Sequence, residues 1–116
     1  MPGGVRYAWN QILRSGGQAS IRSLAQEAGW SHRHFTAQFR RELGIAPKTF
    51  ARMLRFGRFV RAARRGAIVN LADAALQYDY FDQSHLTRDA REFAGTTPGE
   101  LLKGLIPDGG GFGVQA

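Results

Sequence analysis

The stretch Gly29–Pro47, GWSHRHFTAQFRRELGIAP, and the stretch Asp79–Pro98, DYFDQSHLTRDAREFAGTTP, share one plan. Each runs from a turn through a helix-forming segment to a glycine and then a proline. A shorter apolar segment precedes each, and Ile21 and Ala25 ahead of the first correspond to Leu71 and Ala75 ahead of the second. Gly29 then matches Asp79 and Trp30 matches Tyr80. After one extra residue in the second copy, His34-Phe35 matches His85-Leu86, Phe39 matches Ala90, Gly44 matches Gly95 and Pro47 matches Pro98. A helix of about eight residues, a turn of three or four and a second helix of about eleven is the helix-turn-helix layout. A single copy fits an ordinary packed bundle as well as a DNA reader; two copies in one chain are harder to produce by accident.

Local punctuation extends this pattern to the whole chain. Val5, Ala8, Trp9, Ile12 and Leu13 share a face at helical spacing, and Gly16-Gly17 ends that helix. Ser20, Ser31 and Asn70 stand where N-caps belong, and Gly44 and Gly95 where helices close. Pro47 suits the first turn of a long helix running to about Arg65, and Thr97-Pro98-Gly99-Glu100 has the form of a capping box. These signals predict an all-α fold of seven helices and no strand. The expected architecture is a tandem, homeodomain-like helix-turn-helix bundle with two subdomains, residues 1–46 and 67–104. A connecting helix over 47–66 joins them, and a glycine-rich, flexible tail follows over 105–116.

Composition narrows the chemistry. The 116 residues suit one domain or two very small ones. With no cysteine, the chain has no disulfide framework, thiolate zinc site or cysteine nucleophile. The sequence has no run approaching a membrane span and no signal-peptide pattern, which predicts a cytoplasmic protein. Residues 1–69 carry thirteen Arg or Lys against two acids, and residues 70–116 carry three against seven, so the net charge of +7 divides as +11 and −4. Fourteen of the sixteen basic residues are arginine, a bias that genomic base composition also produces. Arginine suits bidentate contact with phosphate and guanine, so a polyanion is the expected partner.

The arginines fall on particular faces. In the segment after Ser31, Phe35, Phe39 and Leu43 form one stripe and leave Arg33, Ala37, Arg40 and Arg41 opposite. In the second copy Leu86, Ala90 and Phe93 form the stripe, and Ser84, Arg88 and Arg91 point away. A major groove admits one helix, and arginine on its exposed N-terminal half reaches guanine O6 and N7. The connecting helix, about 28 Å long at roughly 1.5 Å per residue, has the length to hold two reading helices about one DNA turn apart. The geometry therefore predicts a monomer that reads double-stranded DNA through two successive major grooves.

The segments IRSLAQEAGWSHRHFTAQFRRELGIAPKTFARMLR and LADAALQYDYFDQSHLTRDAREFAGTTP resemble the two halves of the AraC/XylS-type DNA-binding domain. The second half of that family commonly carries the pattern G-[FY]-x-D-x-S-[HY]-F-x-R-x-F-[KR]-x-x-x-G-x-[ST]-P, and the likeness covers about residues 5–103. The resemblance implies transcription regulation by the C-terminal piece of a longer regulator. A sensing or dimerising domain and RNA polymerase would be its further partners. Carried over residue by residue, it implies base contacts by His32, Arg33, Thr36 and Ala37 in the first half, and by Gln83, Ser84, Thr87 and Arg88 in the second. Ser31, Arg40, Arg41 and Arg91 become phosphate contacts, and Arg55 either supports the structure or touches phosphate. Three positions depart from the family: Asp79 replaces the turn glycine, Ala90 replaces a core aromatic, and Phe59 stands where a small residue is usual. Together with the charge division, they lead to the expectation that the first half supplies most of the DNA affinity.

Other classes fit less well. Some DNA-repair methyltransferases contain a related module, but their acceptor is cysteine, so no enzymatic activity is expected. His32, His34 and His85 are joined by no cysteine or paired carboxylate, and neither metal nor cofactor is expected. The alternative is a helical protein-interaction module or a basic helix lying on an anionic membrane, which the alternation of arginine with Phe50, Phe56 and Phe59 permits.

Overall fold

The computed structural model describes residues 3–105, and the tail expected to be flexible, apart from Leu105, lies outside them. Seven helices follow in order: α1 (Gly3–Arg14), α2 (Ile21–Glu27), α3 (His32–Leu43), α4 (Pro47–Arg64), α5 (Leu71–Gln77), α6 (Gln83–Ala94) and α7 (Pro98–Leu105). There is no strand among the described residues.

The ends of the helices are set by the residues that signalled them. Ser20, Ser31 and Asn70 have extended backbone, and their side-chain oxygens accept from the amides of Ser23, His34 and Asp73. Asp82 does the same for His85 at the start of α6. Each such bond satisfies a helix-terminal donor that has no partner within the helix. Before α7 the Thr97 hydroxyl accepts from the Glu100 amide at 3.2 Å and donates to the Glu100 carboxylate at 2.9 Å. That bond holds the Glu100 carboxyl below its ordinary value.

The chain divides into two units between Leu54 and Arg55, within α4. The stretch read as a connector therefore contributes to both cores. In the first unit Val5, Ala8 and Ile12 of α1 and Phe35 and Phe39 of α3 are buried with Phe50 and Ala51 of α4. Trp9 stacks on Phe50 at 4.3 Å between ring centroids. Gly17, at φ +90°, lets the α1–α2 turn approach α4 closely: a Cβ there would lie 2.1 Å from the Ala51 carbonyl oxygen. No residue but glycine fits.

In the second unit Phe56, Phe59, Ala62 and Ala63 of α4 are buried with Ala74 and Ala75 of α5, Leu86 and Ala90 of α6, and Leu102 of α7. Phe59 and Ala90, the two departures in size, are both fully buried in this one cluster. The large ring and the small side chain share a single core, which is what an exchange of volume between facing positions requires.

Backbone hydrogen bonds show how far the duplication extends. Gly17 N donates to Ile12 O at 2.9 Å and Ala67 N to Ala62 O at 2.9 Å, after Gly16 and Gly66 at φ 64° and 72°. Trp30 N donates to Ala25 O at 3.0 Å and Tyr80 N to Ala75 O at 2.8 Å, after Gly29 at φ 74° and Asp79 at φ 70°. Asp79 thus takes the left-handed conformation that its match to Gly29 predicted, and it is the one non-glycine residue there among the described residues. These bonds pair the end of α1 with the end of α4, so the second copy begins inside α4. In that register Val5 matches Arg55 and Ala8 matches Arg58.

Candidate nucleic-acid interface

The two recognition segments become α3 and α6, each the second helix of its helix-turn-helix. In α3 the inward stripe is Phe35 and Phe39, both fully buried, with Leu43 half-buried. His32, Arg33, Ala37, Arg40 and Arg41 are exposed and Thr36 is half-buried. Arg33, Thr36, Ala37 and Arg40 follow one another at spacings of three, one and three, and so line one outer face of the first turns. In α6 Leu86 and Ala90 are fully buried and Phe93 half-buried, while Gln83, Ser84, Arg88 and Arg91 are exposed. Thr87 is half-buried, and its hydroxyl donates to the Gln83 carbonyl at 3.0 Å, which leaves the methyl and a lone pair for other contacts. Each helix therefore carries all four of its proposed base-contacting residues within its first two turns.

The Ser31 hydroxyl accepts from the His34 amide at 3.1 Å as the α3 N-cap, and its own proton remains available to a phosphate oxygen. No acid among the described residues pairs with Arg33, Arg40, Arg41, Arg88 or Arg91. Positive charge at both outer faces is thus uncompensated by a local carboxylate. Counted by structural unit, residues 1–54 hold eight Arg or Lys against two acids, or +6, and residues 55–116 hold eight against seven, or +1. The asymmetry expected between the halves survives in direction, but the second unit is near neutral rather than acidic.

Arg55 is engaged by groups of its own unit. Its Nη2 lies 3.0 Å from Oδ2 of Asp89, which is fully buried on α6, and its guanidinium stands 4.2 Å over the Tyr80 ring. The same Nη2 is 3.4 Å from His85 Nε2, and Nη1 reaches the Asp79 carbonyl at 3.5 Å. Arg58 pairs with the Asp79 carboxylate at 2.6 Å. Burial of the ring holds the His85 imidazole below its ordinary value; Arg55 and Arg88 act in the same direction, against Asp89 and Asp82. Burial, reinforced by the Asp89 carboxylate, pushes the Tyr80 phenol well up. The buried aspartate was not anticipated from the sequence. Its one local signal is its place beside Ala90, next to the inward stripe.

Ring geometry repeats between the copies. Trp30 and His34 meet edge to face at 5.0 Å, and Tyr80 and His85 at 5.3 Å. The equivalent histidines therefore pack against the turn aromatics, and no group of three or more His, Cys, Asp or Glu among the described residues is placed to hold a metal ion. Phe50, Phe56 and Phe59 are buried, which leaves α4 none of these rings to insert into a bilayer. No described helix is long and apolar enough to cross a membrane.

Comparison with known proteins agrees with this geometry. Residues 24–104 match the model of a family described as a helix-turn-helix domain. The crystal structure of a probable AraC family transcriptional regulator from Rhodopseudomonas palustris CGA009 is similar over 91% of this chain and 100% of that one, with a TM-score of 0.76 and 27% identity. The C-terminal domain of AraT, a response regulator from Geobacillus stearothermophilus, shares the fold at a TM-score of 0.77 and 17% identity, over 92% of this chain and 90% of that one. An uncharacterized HTH-type transcriptional regulator of Bacillus subtilis, YbfI, is 30% identical over 67 residues, 58% of this chain. The match spans 24% of that relative's length. A duplicated helix-turn-helix with outward arginines, a family model over most of the chain and this solved relative lead to one conclusion: the chain belongs to the AraC-type helix-turn-helix family of DNA-binding transcription regulators.

Proposed function

We propose that this protein binds specific double-stranded DNA by inserting α3 and α6 into adjacent major grooves, and that it thereby regulates transcription. The observation that carries the reading is the pair of unpaired, outward arginines, Arg33 and Arg88, each in the first half of the second helix of its own helix-turn-helix, at positions matched by Ser84 and Ala37 in the other copy. Arginine there forms two parallel hydrogen bonds to guanine, Gln83 suits adenine, and the Ala37 methyl suits a thymine methyl. Ser31, Arg40, Arg41 and Arg91 fix register on the phosphates. The reading needs no catalysis and no cofactor.

The module acts in the cytoplasm as the C-terminal part of a longer regulator with a sensing or dimerising domain, and through RNA polymerase. The small share of YbfI that it matches supports that placement.

Selection of bound sites from a random duplex pool tests the proposal. Two short motifs about one helical turn apart are expected. Arg33→Ala and Arg88→Ala should each cost about 1–3 kcal/mol and relax preference at one motif only, with the larger loss at Arg33 because the first unit carries most of the charge. Equal affinity for every duplex would refute sequence reading, and a larger loss at Arg88 at equal salt would refute the asymmetry.

A further inference from the structure

Unit two departs from unit one at four matched positions that meet in space. Val5 and Ala8 in α1 are fully buried apolar residues, and their counterparts in α4 are Arg55 and Arg58. Gln38 and Gly29 are matched by Asp89 and Asp79. The two arginines pair with the two aspartates at 3.0 and 2.6 Å. Two buried apolar positions of the first unit thus correspond to two ion-paired arginines in the second.

A buried ion pair is a poor means of gaining stability, because removing both charges from water costs about as much as their attraction returns. It does differ from apolar packing in direction. A guanidinium bound to a carboxylate holds distance and angle, whereas apolar surfaces slide past one another at little cost. The placement along α6 gives that direction a use. His85 and Asp89, the two residues facing Arg55, stand one helical turn apart and each directly follows an outward residue, Ser84 and Arg88. His85 is held from both sides, since the Phe81 amide donates to its Nδ1 at 3.2 Å while Arg55 faces Nε2. Side chains reach about 5–6 Å from a helix axis, so a rotation of roughly 10° displaces an outward group by about 1 Å. Displacement of that size is enough to spoil a bidentate base contact.

We propose that Arg55 and Asp89 are positioning residues that fix the rotation of α6, and so set base discrimination by the second unit. This inference rests on the reading of α6 as a base-contacting helix. It assigns Asp89 a part in specificity although the residue is fully buried and touches no DNA.

The double variant Arg55→Met/Asp89→Leu tests it. This replaces the pair by apolar groups and leaves net charge unchanged, and it should unfold close to the wild-type temperature. Its salt dependence of DNA binding should match wild type, as it would not if Arg55 contacted phosphate, where the slope would fall by about one. Discrimination against altered bases in the motif read by α6 should fall about tenfold, with the α3 motif unaffected. Asp89→Asn, which keeps the shape and loses the charge, is measured in parallel and should show the same selective loss if the double variant does not fold. Unchanged discrimination at the α6 motif, or equal loss at both motifs, overturns the proposal. A wild-type protein without preference at the α6 motif overturns the reading of α6 as a base-contacting helix, whereas wild-type preference at both motifs with unchanged discrimination in the variants overturns only this proposal.

Discussion

Replacing Gly17 by alanine should unfold the first unit more readily than any other single added methyl group. The α1–α2 turn meets α4 at this residue, and a Cβ built there stands 2.1 Å from the Ala51 carbonyl oxygen and 3.0 Å from its carbon. The obstacle is helix backbone, which cannot swing aside as a flexible side chain can. Two costs add. The φ of +90° disfavours an L-residue by about 1–2 kcal/mol, and overpacking costs about 1–3 kcal/mol, for a total of about 2–5 kcal/mol. Gly44 supplies the control, because it has φ +75° with nothing within 4 Å of its built Cβ, so Gly44→Ala carries only the backbone cost. Both tryptophans, Trp9 and Trp30, lie in the first unit, and their emission during urea denaturation reports that unit. Gly17→Ala should therefore exceed Gly44→Ala by the overpacking cost, about 1–3 kcal/mol. Equal losses would show that the close approach to α4 is relieved at no cost, and the reasoning would fail.

Three further outcomes are expected. Phe59→Ala, which empties a fully buried ring beside helices α5 and α6, should cost about 3–5 kcal/mol in thermal or urea unfolding; a loss under 1 kcal/mol would mean that the core closes over the space. Ser31→Ala removes the acceptor for the His34 amide and should cost about 1 kcal/mol, read by the same tryptophan emission. The folded state resists protonation of His85, so the unfolded chain takes up that proton first, near pH 6.5. The stability this gives is complete above that pH and is lost as pH falls through the lower, folded value. Urea titrations between pH 7.5 and 5.5 should show the decline, and His85→Asn should flatten it; an unaltered slope in the variant would refute the assignment.

Features written in contiguous residues were legible, and those depending on distant partners were not. Ser20, Ser31 and Asn70 acted as caps because capping is decided within three residues. Asp79 was marked as a strained turn residue because its match, Gly29, marks the conformation. The outward faces of α3 and α6 followed from periodicity alone. Asp89 was not read, since its burial depends on Arg55, which lies 34 residues away. The ion pair of Arg55 escapes sequence reading for the same reason, because its partner is distant in the chain. The charge division was misleading because the cut at residue 69 assigned five arginines of the second unit, Arg55 to Arg65, to the first half.

Two four-helix copies joined end to end would have eight helices, and the described residues hold seven because α4 finishes one copy and begins the next. No cut in a loop flanking α4 therefore yields two intact halves. A fragment ending at Ala46 forfeits Phe50 and Ala51, and one beginning at Ala67 forfeits Phe56, Phe59, Ala62 and Ala63. Anyone wishing to study either half in isolation must give each fragment its own part of α4, as far as Leu54 for the first and from Arg55 for the second. Natural recombination faces the same obstacle, for a crossover in a flanking loop would deliver an incomplete copy.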